Sequence, residues 1–255
     1  AMLDVCRHFM PVEDVKAFID ILAMHKLNRF HFHLTDDQGW RIEIKKYPDL
    51  ARKGSVRKET LVGNLRTSTE YDGIPYGGYY TQKQIREIVR YAAERHIEVI
   101  PEIDMPGHCL QAIDSYPWLA CFGRGSWGQS FSSPLCVGKD RTLAFCESVW
   151  EELFELFPYE YVHMGGDEVD KSNWKRCPDC QTRMRAEGLP DEAALQAWFM
   201  HRMQRFCEAR GRRMIGWDEM IDAGVSPDKA VIMWWRHDRK HQLVKALENG
   251  YRVIM

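Results

Sequence analysis

The stretch YEYVHMGGDEV, residues 159–169, runs from a strand-like segment through two glycines into two adjacent carboxylates, Asp167 and Glu168. Gly165 and Gly166 free the backbone to turn where the strand stops. A strand ending in charge recurs along the chain. Arg7, Asp36, Asp104, Asp218 and Glu219 lie near the ends of strand-like runs at 2–9, 29–37, 97–104 and 213–219, and further runs occur at 230–235 and 251–255. Helical spacing marks 11–26, 81–96, 141–157, 192–210 and 238–249, with 220–229 a shorter connection. Regular alternation predicts the α/β class with a parallel sheet. A doubly wound open sheet would spread the charged strand ends along a line. A (β/α)8 barrel of the TIM type gathers them round one pit, and the clustering favours it. Seven strands are readable and an eighth is not. The expectation is one catalytic barrel domain over 1–255, truncated before the eighth strand and incomplete at the C-terminus.

Composition narrows the function classes. Apolar residues make up 45% and charged residues 28% of the chain, the balance of a globular protein. A net charge of -2 without a basic block argues against nucleic acid. No apolar run approaches the length of a membrane span. The 9 Trp and 10 Tyr exceed what a core of this size needs, a hint of a flat ligand such as a sugar ring. The stretches 38–80, 105–139 and 169–190 read as loops. Cys177 and Cys180 form a C-x-x-C, which suits half a zinc site, a redox pair or a local disulfide. No second C-x-x-C completes four ligands, so it reads as a loop feature.

The adjacency of Asp167 and Glu168 constrains their chemistry. Their α-carbons are about 3.8 Å apart. Two-carboxylate glycosidases hold their pair across the anomeric centre at about 5–9.5 Å. Neighbouring residues do not easily flank a sugar ring from opposite faces, so a glycosidase built on this pair needs a nucleophile from elsewhere. A general acid near neutrality needs a raised pKa, since an ordinary Glu is only about 1 part in 500 protonated at pH 7. Burial and a neighbouring carboxylate both push that way. His108 follows Asp104 through a Gly-Pro turn and can hold or relay a proton. His31, His33 and His163 are conceivable metal ligands, but no H-E-x-x-H spacing supports a metal hydrolase. Trp217 and either Trp234 or Trp235 can wall a sugar site or simply pack the core.

The ordered set LDVCRHF, HFHLTDDQGWR, PEIDMPGH, HMGGDEV, GWDE and WWR resembles the catalytic domain of the β-N-acetylhexosaminidases, family 20 of the glycoside hydrolases, across essentially the whole chain. The resemblance implies an exo-acting retaining enzyme that removes terminal β-linked N-acetylglucosamine or N-acetylgalactosamine. The substrate's own acetamido oxygen then serves as nucleophile through an oxazolinium intermediate. It implies Glu168 as general acid and base and Asp167 as the group that orients the acetamide. It further implies Arg7 as a clamp on sugar hydroxyls, Asp36 and His108 as a dyad behind the acid, and Trp217 and Trp235 as pocket walls. Trp235 is preferred to Trp234 because an Arg follows it directly. No cofactor and no metal are implied, the expected partner is a glycan, and export to periplasm, lysosome or medium is expected. The family's further site residues beyond strand seven are not in this sequence. A barrel that binds amino sugars without cutting them is the alternative.

Overall fold

The computed structural model describes residues 1–64, 67–126 and 131–255. Seven parallel strands form one curled sheet: β1 (Met2–Asp4), β2 (Arg29–Asp36), β3 (Glu98–Ile103), β4 (Tyr161–His163), β5 (Arg213–Trp217), β6 (Ala230–Met233) and β7 (Arg252–Ile254). Each pairs with its neighbours in chain order, and a short strand, Gly39–Trp40, adds antiparallel to β2. This is the order of a β/α barrel. Among the described residues β1 and β7 stay unpaired on their outer sides, so the sheet curls without closing.

Helices cover the outer face, and their sequences show why. In α1 (Val12–Met24), Val15, Ile19 and Leu22 fall on one buried stripe. In α2 (Gln82–Ala93), Thr81 and Gln84 form a reciprocal capping box, and Ile85, Ile88, Val89 and Ala92 turn inward. The longest helices, α3 (Asp140–Leu156) and α4 (Glu192–Glu208), bury Trp150, Phe199 and their neighbours, and α5 (Lys240–Glu248) precedes β7. The period of two in β2 separates two environments. Phe30, Phe32 and Leu34 join the core beneath the helices, where Phe18 of α1 meets Phe30 at a ring distance of 5.5 Å. His31, His33 and Thr35 alternate with them on the other face. That inner face has a small apolar base of Ile100, Ile215 and Val231. Above it the lining turns polar, where a barrel interior is ordinarily branched and apolar.

Several boundaries differ from expectation. The first strand stops at Asp4, whose Oδ1 accepts the N–H groups of Cys6 (2.8 Å) and Arg7 (3.2 Å) and turns the chain. The fourth strand ends at His163 rather than 166, because Gly165 and Gly166 take φ of 70° and 97°. The stretch 38–80 holds helix Asp49–Arg52 and the hairpin of Val56–Arg57 with Tyr76–Gly77, and 105–139 holds helix Leu110–Ser115. Residues 65–66 and 127–130 of those stretches lie outside the described residues. Residues 169–190 are not a loop: Ser172–Arg176 and Pro178–Glu187 are helices, the second begun by Pro178 and stopped by left-handed Gly188. No helix among the described residues is long and apolar enough to cross a membrane.

Candidate active site

The strand ends of the sheet open into a pit of about 380 Å3 lined by Arg7, Asp36, His108, Asp167, Glu168, Trp217 and Trp235, together with Met2, His33 and Asp104. All seven side chains that the resemblance implied for the site therefore line it. The inner-face alternation delivers several of them: Ile100, Glu102 and Asp104 follow one another, as do Ile215 with Trp217 and Val231 with Met233 and Trp235. Trp234 falls out of that alternation; its backbone N–H donates to Ile254 O at 2.8 Å and its ring meets His237.

His108 is the hub. Its Nδ1 stands 3.3 Å from Asp36 Oδ1 and 3.3 Å from Asp37 Oδ2. Its Nε2 stands 3.5 Å from Asp167 Oδ2 and 3.3 Å from Glu168 Oε2. Burial disfavours an imidazolium here, but the carboxylates of Asp167, Asp36, Asp37 and Glu168 outweigh it and raise the ring's pKa far above its ordinary value. His108 is thus a fixed cation joining two pairs of acids. Asp37 is a member the sequence reading did not assign; Ser132 Oγ donates to its Oδ1 at 2.7 Å and Leu110 N–H at 3.1 Å.

Asp36 is buried and also forms an ion pair with Arg7 at 2.8 Å. Burial works against its charge, but contacts from His108 and His33 and the Arg7 charge hold its pKa far below the carboxylate range. Arg7 is held in turn by Asp4 at 2.7 Å and by Gln38 Oε1 at 3.0 Å. Asp104 behaves in the opposite way. Fully buried and beside Asp167, it is pushed well above the carboxylate range. Its Oδ1 accepts the Gly166 N–H at 3.1 Å.

Two residues of the pit have left-handed backbones without being glycine, His108 (φ 50°) and Glu168 (φ 49°). Such geometry is costly and persists where the surroundings impose it. Gly107 shows how tightly the two turns meet, since a Cβ there would stand 2.8 Å from Asp167 O. Of the acids in the pit, Glu168 is the most open, its side chain 29% exposed against 12% for Asp167 and 1% for Asp36. Asp167 Oδ1 is buried and has no hydrogen-bond partner among the described residues.

Beneath the pit lies a second polar layer. Glu102 Oε2 meets His31 Nε2 at 2.6 Å, while its Oε1 meets His163 Nδ1 at 3.1 Å and accepts the Trp217 indole N–H at 3.0 Å. Burial lowers His31 to about 4, leaving it neutral; His33, also opposed by burial, is raised to about 9 by Glu102 and Asp36. The imidazoles of His31 and His163, conceivable metal ligands from sequence, are thus bound to Glu102 below the pit. Glu102 was missed in the sequence reading, although a carboxylate inside the apolar run EVIPEI was a signal. Trp217 and Trp235 meet edge to face, centroids 6.3 Å apart at 67°, and Trp235 donates its N–H to Glu219 at 3.2 Å. Burial and the Asp167 charge raise Glu219 to about 7. Four sulfur atoms, those of Cys121, Cys136, Cys177 and Cys180, converge outside the pit within 4.8 Å of one another.

A parallel β/α sheet that brings carboxylates, an imidazolium and two edge-on tryptophans into one pit at its C-terminal rim has the architecture of a barrel glycosidase domain. The family model for the catalytic domain of glycosyl hydrolase family 20 matches residues 1–255. The chain belongs to that family. It is 50% identical over 259 residues to a β-hexosaminidase of Porphyromonas gingivalis, spanning 100% of this chain and 31% of that protein. Among solved structures, a β-N-acetylhexosaminidase from Bacteroides fragilis superposes with a TM-score of 0.83 at 40% identity, covering 100% of this chain and 49% of the other. An exo-β-N-acetylglucosaminidase from Vibrio harveyi, in complex with N-acetylglucosamine, superposes with a TM-score of 0.84 at 38% identity, over 99% and 40% of the two chains. The chain thus spans less than half the length of each of these relatives. Their β/α barrels account for the order of the curled sheet.

Proposed function

We propose that the protein carrying this domain is an exo-acting, retaining β-N-acetylhexosaminidase that removes terminal β-linked N-acetylglucosamine or N-acetylgalactosamine with help from the substrate's acetamide. The observation that carries the reading is the placement of Asp167 and Glu168 together on one side of the pit, both facing His108 Nε2. The other carboxyl groups of the lining are committed, Asp36 to Arg7 and His108, and the buried Asp104 to the Gly166 N–H. No free carboxylate of the described lining faces the pair to act as nucleophile. The sugar's acetamide oxygen fills that role. Glu168, the most open acid, protonates the glycosidic oxygen as the acetamide oxygen attacks the anomeric carbon. The unpartnered Oδ1 of Asp167 accepts the acetamide N–H and stabilises the oxazolinium charge. Water, deprotonated by Glu168, then opens the ring and restores the β configuration. The relative crystallised with N-acetylglucosamine supports the choice of sugar.

The test is hydrolysis of aryl β-N-acetylglucosaminide and β-N-acetylgalactosaminide by the full-length protein, with the first-formed anomer read by NMR. The β-anomer is expected first, and the aryl β-glucoside, lacking the acetamide, is expected to resist. An α-anomer first, or unchanged rates in both Asp167→Asn and Glu168→Gln, overturns the reading. Binding of an N-acetylglucosamine-derived thiazoline without turnover by the native protein identifies the non-cutting alternative.

A further inference from the structure

Four of the chain's eight cysteines meet at one point, while Cys6, Cys109, Cys146 and Cys207 lie elsewhere in the core. Cys136 Sγ stands 3.5 Å from Cys177 Sγ and 3.7 Å from Cys180 Sγ, and Cys121 Sγ stands 3.9 Å from Cys180 Sγ. These separations are far beyond the S–S bond of about 2.05 Å. These three match an edge of another geometry, and all four sulfur atoms lie within 4.8 Å of one another. Four thiolates about 2.3 Å from a tetrahedral zinc ion are separated by about 3.8 Å along every edge. Cys136, Cys177 and Cys180 are fully buried and Cys121 partly so.

We propose that Cys121, Cys136, Cys177 and Cys180 form a structural tetrathiolate zinc site that clasps the two loops bearing the catalytic acids and their histidine. The ligands come from two connections. Cys121 and Cys136 lie between β3 and α3, in the connection that carries His108; Cys177 and Cys180 lie between β4 and α4, in the one that begins with Asp167 and Glu168. The C-x-x-C is shaped for the task. Cys177 occupies the N-cap position of the helix Pro178–Glu187 and Cys180 sits in its first turn, where aligned N–H dipoles favour thiolates. The opposing connection is built to approach it: a Cβ on Gly138 would stand 2.4 Å from Cys180 N. The two connections also join beside the cluster, where the Trp174 indole N–H donates to Leu135 O at 3.0 Å and Asn173 Nδ2 to Ser133 Oγ at 3.1 Å. Each thiol loses its proton on binding, so uptake of the ion releases protons in proportion to the thiols still protonated. With four sulfur ligands the ion has no open position, so its role is to hold the loops and not to activate water.

Zinc content of the full-length protein, purified without chelator or added metal, tests the site. One equivalent of zinc per chain is expected by elemental mass spectrometry. It should be released stoichiometrically by a mercurial, and these four cysteines should resist iodoacetamide until the metal is removed. Cobalt exchanged into the site should give the intense visible bands of a tetrahedral cobalt thiolate. Cys121→Ser, at the least buried ligand, should lower zinc retained after chelator dialysis at least tenfold. Should that variant not fold, the native stoichiometry and the cobalt spectrum decide. Disulfides between these cysteines in a non-reducing peptide map, four thiols alkylated without metal release, or iron in place of zinc would each overturn the proposal.

Discussion

Gly165 lies against Asp104 so closely that a methyl group on its α-carbon would stand 1.8 Å from Asp104 Oδ1. The same residue has a left-handed φ of 70°, which a side chain resists. Gly165→Ala therefore combines backbone strain with an overlap against a buried acid. A loss of about 3 kcal/mol in folding stability is expected, with at least tenfold lower activity in what folds, because the same turn aims Asp167 and Glu168. Urea denaturation checks the first and turnover of an aryl substrate the second. A stability within experimental error of the native protein would refute it.

His108 couples the Asp36–Asp37 side of the pit to the Asp167–Glu168 side. His108→Gln keeps a polar side chain and removes the charge. It should reduce kcat about a hundredfold while KM changes little. Asp36→Asn should act through the same ring, so the double variant should be scarcely worse than the worse single one. Strictly multiplicative losses would show that the two act independently.

Two groups, the buried His33 and the half-buried Glu219, set opposite ends of a pH profile of stability. His33 is raised to about 9, and Glu219 to about 7. A raised folded-state pKa stabilises fully below the unfolded value and is lost as pH climbs through the folded one. His33 therefore contributes below pH 6.5 and its contribution drains away towards pH 9, at up to about 1.4 kcal/mol per pH unit. Glu219 contributes below pH 4.5 and loses its contribution by about pH 7. Chemical denaturation across pH 4–10 should show His33→Gln flattening the upper window and Glu219→Gln the lower. Slopes that survive both substitutions would exclude these assignments.

Arg41 is fully buried and its guanidinium donates to backbone carbonyls alone: Val5, Ser55, Gly78, Cys6 and Gln38. No carboxylate of the described residues pairs with it. Arg41→Met removes every one of these donated bonds, leaving Ser55 O with only the Gly78 N–H at 3.2 Å, and should cost about 3–5 kcal/mol. Arg41→Lys, with a single ammonium in place of the fork, should recover less than half. Since Val5 and Cys6 lead directly into Arg7, any folded fraction should show a higher KM. Equal stability of Lys and Arg at this position would count against the fork.

The class of fold was legible because its signals are local: an apolar stripe every third or fourth residue in α1 and α2, and a charge near the ends of β1 to β5. The helix Pro178–Glu187 was not, because it buries only Cys180 and Met184 and so carries no clear stripe. The residues of the pit were legible through long motifs. Their wiring was not: Glu102 gathers partners from β2, β4 and β5, and nothing in the run EVIPEI names them. Asp37 illustrates the same limit, for sequence cannot tell which of two neighbouring acids His108 addresses, and the structure has it address both. The convergence of Cys121 and Cys136 on the C-x-x-C is likewise tertiary.

The left-handed backbones of Glu168 and His108 bear on how mutational surveys of this domain are scored. At these two positions a β-branched replacement tests tolerance of the turn as much as loss of a proton donor. Glycine, asparagine and aspartate relax the same torsion while removing or shortening the functional group. A scan that ranks residues by averaged loss would therefore overstate the chemical share of Glu168 and His108 relative to Asp167. Comparing the glycine and valine variants at each site separates the two contributions.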